Sequence, residues 1–109
     1  MEFLNKIELR GVVGVSRLTN CCNTKACSFS LVTEYAYKNE NDGGLIVDTM
    51  WWSVMAYGPK PQWPDLEKIQ KGSKVHVIGR VRAKRYCDAQ GIDRTIYEVV
   101  AQELKIMED

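Results

Sequence analysis

The sequence is poor in the residues that most chemistry needs. It has one histidine, His76, and its four cysteines, Cys21, Cys22, Cys27 and Cys87, show no Cys-x-x-Cys spacing. The usual ligand patterns of a zinc site are therefore missing, and no metal or other cofactor is expected. No nucleophile–base pair and no paired carboxylates stand in a motif, so an enzyme is not expected either. Adjacent Cys21 and Cys22 are badly placed to bridge one another, and reduced thiols are the expectation. No apolar run approaches the roughly 20 residues that span a membrane. The N-terminal MEFLNKIELRG alternates charges with aliphatics and lacks the apolar core of a signal peptide, so the expected compartment is the cytoplasm. Net charge is nearly absent as well. A formal +1 over 109 residues argues against a purely electrostatic binder of polyanions, while leaving room for a local basic surface.

What is present is ordinary for a globular protein: 45% hydrophobic and 27% charged residues. A chain of 109 residues reads as one domain over residues 1–109, long enough to bury a core without disulfide staples. Internal repeats and low-complexity segments are lacking. Five segments alternate as strands do: Asn5–Val15, Ala26–Tyr37, Leu45–Tyr57, Ser73–Cys87 and Asp93–Met107. Gly11 and Gly14 interrupt the first, as at a bulge or sharp bend. Ser16–Lys25 is polar and reads as a loop. Lys38–Gly44 reads as a hairpin turn, as does Asp88–Ile92. All three prolines fall in Gly58–Pro64, a loop. Asp65–Gln70 reads as a short helix with Asp65 as N-cap and Gly72 as stop. Its Leu66 and Ile69 would cover one end of a barrel. Three strands, a short helix and two more strands is the layout of an OB-fold, an all-β Greek-key barrel.

The stretch Lys71–Arg94 carries seven basic residues against two acidic ones. Alternation in its strand puts Val75, Val77, Gly79 and Val81 on one face. His76, Ile78, Arg80, Arg82, Lys84 and Tyr86 fall on the other. A row of cations ending in an aromatic ring suits a polyanion with flat bases. In the third strand Trp51, Ser53, Met55 and Tyr57 share one face, and Trp52, Val54 and Ala56 the other. His76 reads as a neutral strand residue. Trp63 reads either as a lid over the core or as a further base contact. The charge alternation of Lys6, Glu8 and Arg10 makes the first strand a candidate edge for two-fold pairing.

Four segments in order carry a resemblance to a known family. They are Asn5-Lys6-Ile7 with Gly11 and Gly14; Thr49-Met50-Trp51 through Tyr57-Gly58; Leu66 through Lys71-Gly72-Ser73 and Val75–Gly79; and Arg82 through Tyr86 with Asp88, Gly91, Asp93-Arg94 and Glu98-Val99-Val100. Over nearly its whole length the chain resembles the bacterial single-stranded DNA-binding protein family. The resemblance implies an OB barrel that binds single-stranded DNA without chemistry, in replication, recombination or repair, and that assembles as a homotetramer. It places base-stacking aromatics at Trp51, Tyr57, Tyr86 and Tyr37. Phosphates would then meet Arg80, Arg82, Lys84, Lys71, Lys74, Arg94 and Arg10. RNA is a possible second ligand. Members of the family continue into a flexible, acidic-tipped tail that recruits replication and repair proteins. This sequence stops at Asp109, so recruitment through such a tip is not expected. A short, tailless chain also resembles the primosomal replication type, a dimeric OB protein acting mainly through protein contacts.

Overall fold

The computed structural model describes residues 1–21 and 23–107, without the side chain of Cys21. The reading of Cys21 and Cys22 as reduced thiols falls outside the described residues; Cys27, which is buried, and Cys87, which is exposed, are free thiols. The strands are β1 (Ile7–Cys21), β2 (Thr24–Lys38), β3 (Leu45–Gly58), β4 (Lys74–Cys87) and β5 (Asp93–Met107), with a 3₁₀ turn at Leu66–Lys68 between β3 and β4. They close a barrel in the order β1-β2-β3-β5-β4. All neighbours are antiparallel except β3 and β5. This is the OB-fold expected from the element order.

Alternation fills the barrel. Leu9 and Val13, Phe29 and Leu31, Val54 and Ala56, Val75 and Val77, and Val99 and Ala101 all point inward and are buried. Two glycines let the strands curl tightly enough to close. A Cβ at Gly11 would collide with the Val32 carbonyl oxygen, and one at Gly79 with that of Val100. Gly14 lies within a register shift between Val13 and Ser16, the bulge that bends β1 from one neighbour to the other. Its first part, Ile7–Val12, pairs with β4, and its second, from Val12 on, with β2.

Two local expectations are corrected. Ser16–Lys25 is not an open loop: β1 runs to Cys21 and β2 resumes at Thr24, paired through Arg17↔Ser28, Leu18↔Cys27 and Asn20↔Lys25. The ladder partner, invisible in the composition, overrides the polar side chains. Asp65–Gln70 forms only a three-residue 3₁₀ turn. Six residues are too few to repay helix nucleation. The tighter turn also stacks residues three apart, which sends both Leu66 and Ile69 inward to close one end of the barrel. The N-cap is as read, Asp65 accepting from the Glu67 amide, but the C-cap is Ile69 and the expected stop, Gly72, lies three residues further on with φ +91°. Trp63 packs against this core as a lid.

The strands outrun the barrel. Because β3 and β5 are parallel, the β2–β3 and β4–β5 hairpins leave the barrel at the same end. They project as two-stranded ribbons opposite the 3₁₀ turn. The radius of gyration, 16.4 Å, exceeds the roughly 13 Å of a compact chain this long, in keeping with the projections.

At the β4–β5 turn, Asp88 accepts from the amides of Gln90 and Ile92 and from Arg94 Nε at 3.0 Å. The Ile92 amide, then Arg94, hold its carboxyl below the ordinary carboxylate range. The lowered folded value means that its contribution to the turn is present above the unfolded pKa of about 3.9 and lost as pH falls through the folded one. Asp88 should accordingly titrate below the ordinary aspartate range in an NMR pH series, and Asp88→Asn should abolish that titration while loosening the turn amides. For the barrel itself, Gly79→Ala should lower the free energy of unfolding by about 1–3 kcal/mol, the usual cost of overpacking, as read from urea melts.

Candidate nucleic-acid interface

Trp51 lies on the outer face of β3, opposite Val32 of β2. Its ring reaches across β2 toward β1, where a Cβ at Gly14 would come within 2.6 Å of it. The surface beneath is paved by Gly14 and Ser30, and the Ser30 hydroxyl is occupied in accepting from the Val15 amide at 2.9 Å. The Trp51 ring packs against these small residues, and Trp51 is 60% exposed. Trp52, one residue on, points the other way. It is half-buried against the core, and its Nε1 donates to Thr33 Oγ1 at 2.9 Å. The alternation of the two tryptophans is as expected from the sequence.

Tyr57 lies six residues further along the same face of β3, about 20 Å away at 3.3 Å per residue. Its hydroxyl accepts from Arg82 Nη2 at 2.8 Å, and Arg82 Nε donates to Glu98 Oε1 at 2.6 Å. Glu98 is only 5% exposed and stands directly opposite Arg82 in the β4–β5 ladder. The Tyr57 hydroxyl, then Glu98, raise the Arg82 pKa above its usual value. Arg82 was expected to meet a phosphate. Two of its nitrogens are instead spent within the fold, where they hold the Tyr57 ring in place.

Tyr86 and Lys84 follow on the outer face of β4, opposite Arg94 and Ile96 of β5. Tyr86 is 45% exposed. Arg94, also expected at a phosphate, clamps Asp88 across the turn. Arg80 is exposed on the same face of β4, with no ion pair among the described residues, as is Lys84. Lys71 stands at the opposite end of the barrel, beside a groove formed with Val15, Leu66 and Ile69. Lys74 and Arg10 lie on the outer face of the β1–β4–β5 sheet. Tyr37 does not share a face with Trp51: it has the parity of Leu31, the inward one, and packs beside Tyr35 with ring centroids 6.2 Å apart. His76, read as a neutral strand residue, is a hydrogen-bonding one, with Nε2 2.6 Å from Glu8 Oε2.

Glu98 escaped the sequence reading, since a glutamate in an imperfectly alternating strand carries no signal of burial. Its register opposite Arg82 was the signal that a strand pairing would have supplied. Removing it leaves Arg82 without a counter-charge and Tyr57 without an anchored partner. Glu98→Ala should therefore destabilise the protein by about 1–3 kcal/mol, the cost of leaving a polar group unpaired, in chemical denaturation. Glu98→Gln, which keeps an acceptor, should cost less.

The model of the family described as "Single-strand binding protein family" matches residues 4–107. A single-stranded DNA-binding protein of Neisseria meningitidis is 30% identical over 108 residues, covering 95% of this chain and 60% of its own length. The chain thus spans about three fifths of that relative. Single-stranded DNA-binding protein 1 of Xylella fastidiosa is 27% identical over 109 residues, covering 98% of this chain and 79% of that protein. Among solved structures, the Plasmodium falciparum SSB in complex with ssDNA matches with a TM-score of 0.83 at 23% identity, covering 99% of this chain and 98% of the other. A deletion mutant of the single-stranded DNA binding protein from Thermus aquaticus gives 0.77 at 20% identity, covering 96% and 51%. These two likenesses show a common fold. With the family pattern running from Leu4 to Met107 through every strand of the barrel, this chain belongs to the single-strand binding protein family.

Proposed function

We propose that the chain acts as one OB-fold unit over residues 1–109 that binds single-stranded DNA without sequence preference and without chemistry. The observation that carries this reading is the exposed Trp51 ring packed on Gly14 and Ser30, with Tyr86 and the exposed Arg80 and Lys84 outward on β4. Every base has a π-face, so aromatic platforms give affinity without base choice, about 1–3 kcal/mol per base. Trp51, Tyr86 and Tyr57 are the platforms, with Tyr37 on a separate face. Arg80 and Lys84 meet phosphates beside them, with Lys71, Lys74 and Arg10 further out. Arg82 and Arg94 position other groups.

The proposal extends to a homo-oligomer acting in replication, recombination or repair. The Ile7–Gly11 part of β1 pairs with β4 along one edge only, which leaves the other edge for a second copy. A cytoplasmic site of action fits the free thiols of Cys27 and Cys87. Among the described residues no helix is long and apolar enough to cross a membrane.

The test is the anisotropy of labelled oligo-dT and oligo-U at several salt concentrations. Trp51→Ala and Tyr86→Ala should each weaken DNA binding about five- to a hundredfold with little change in salt slope. Arg80→Ala and Lys84→Ala should each reduce that slope by about 0.7. Unchanged affinity in both aromatic variants would sink the stacking reading.

A further inference from the structure

Past its bulge, β1 continues into a polar segment whose composition reads as a loop, and Arg17 lies there. The ladder sets Arg17 opposite Ser28 of β2, and Ser28 opposite Met55 of β3. Phe29 is buried in the core, so Ser28 and Ser30 on either side of it point outward. Arg17, cross-strand from Ser28, shares that outer face. Ser53, opposite Ser30, belongs to it as well, and so does Trp51 two residues before. These side chains border a groove of about 450 Å³, with Val15 at its β1 side. The groove therefore adjoins the Trp51 ring, which itself reaches across β2 toward Gly14, three residues before Arg17.

The chemistry of the groove selects its occupant. Arg17 is exposed, and its guanidinium makes no ion pair or hydrogen bond among the described residues. No carboxylate among them lines the groove, while Ser28 and Ser53 bring hydroxyl groups to it. An apolar ligand would leave the cation without a partner, and a small anion would make no use of the indole. A nucleotide uses both, with its base on the ring and its phosphate at the guanidinium and hydroxyls. The register also sets the level. Arg17 stands level with Met55, four residues beyond Trp51 and two short of Tyr57 along β3. At 3.3 Å per residue that is about 13 Å from one proposed platform and about 7 Å from the other. We infer that Arg17 binds a phosphate of the strand segment that runs from the base on Trp51 to the base on Tyr57, a contact outside the basic stretch Lys71–Arg94. This rests on the proposed single-stranded DNA binding.

The experiment compares Arg17→Ala, Arg17→Lys, Trp51→Ala and the Arg17→Ala/Trp51→Ala double variant in the full chain, with oligo-dT affinity measured across salt concentrations. Arg17 is exposed and unpartnered, so its variants are expected to melt as the parent does. Arg17→Ala should bind about two- to fivefold more weakly, as for an exposed ion pair, and should lower the salt slope by about 0.7. Arg17→Lys should keep the slope. Loss of the base from Trp51 frees the adjoining phosphate, so Arg17→Ala should cost less in the Trp51→Ala background than in the parent. If Trp51→Ala weakens binding and Arg17→Ala changes neither affinity nor slope, the Arg17 contact is wrong while the proposed function stands. An equal cost of Arg17→Ala in both backgrounds would also overturn the contact, by making Arg17 a remote charge. If neither single alanine variant weakens binding, the proposed function itself fails.

Discussion

The short parallel pairing of β3 with β5 is the constraint on which the rest of the structure depends. It involves two residue pairs, yet it converts an open sheet into a closed barrel. Being parallel, it sends the β2–β3 and β4–β5 hairpins out at the same end. Being short, it lets them diverge there. The level of Tyr57 against Arg82 follows from this register. Closure also demands that backbones approach one another more closely than a side chain allows, and Gly11 and Gly79 stand at those points.

Charge is distributed in a way that its total conceals. The basic stretch Lys71–Arg94 suggests a row of phosphate contacts, but the fold employs some of these cations itself. Arg82 is neutralised by the buried Glu98 and props Tyr57, while Arg94 holds the β4–β5 turn through Asp88. Lys74, Arg80 and Lys84 also stand on the outer face of β4. The Tyr57 ring is thereby held by a cation that would otherwise have been counted as a ligand contact. In the proposed binding mode affinity leans on stacking, and electrostatics adjusts it.

Much of this was legible in the sequence because alternation along a strand is a local property. The split of Trp51 from Trp52, the inward row Val75–Val77–Gly79, and Leu66 with Ile69 as an end plug could all be read from spacing alone. The errors arose where a partner strand decides. Ser16–Lys25 looks like a loop because its side chains are polar, but a polar ribbon is stable when each backbone group has a ladder partner. The helix at Asp65–Gln70 contracted to a 3₁₀ turn because the barrel end needed both apolar residues on one side. Tyr37 and Trp51 match the family's stacking positions, yet pairing across β2 and β3 sends them to opposite faces.

By itself, the sequence determined which residues face inward along each strand, where the chain turns, and the family pattern, since all of these are written at short range. Only the tertiary structure decided which cations remain available, which carboxylate is buried, and that the Trp51 ring lies over Gly14 and Ser30. Those facts depend on register between strands far apart in the chain. A shift of one residue would carry every side chain to the other face, and no local pattern records that choice.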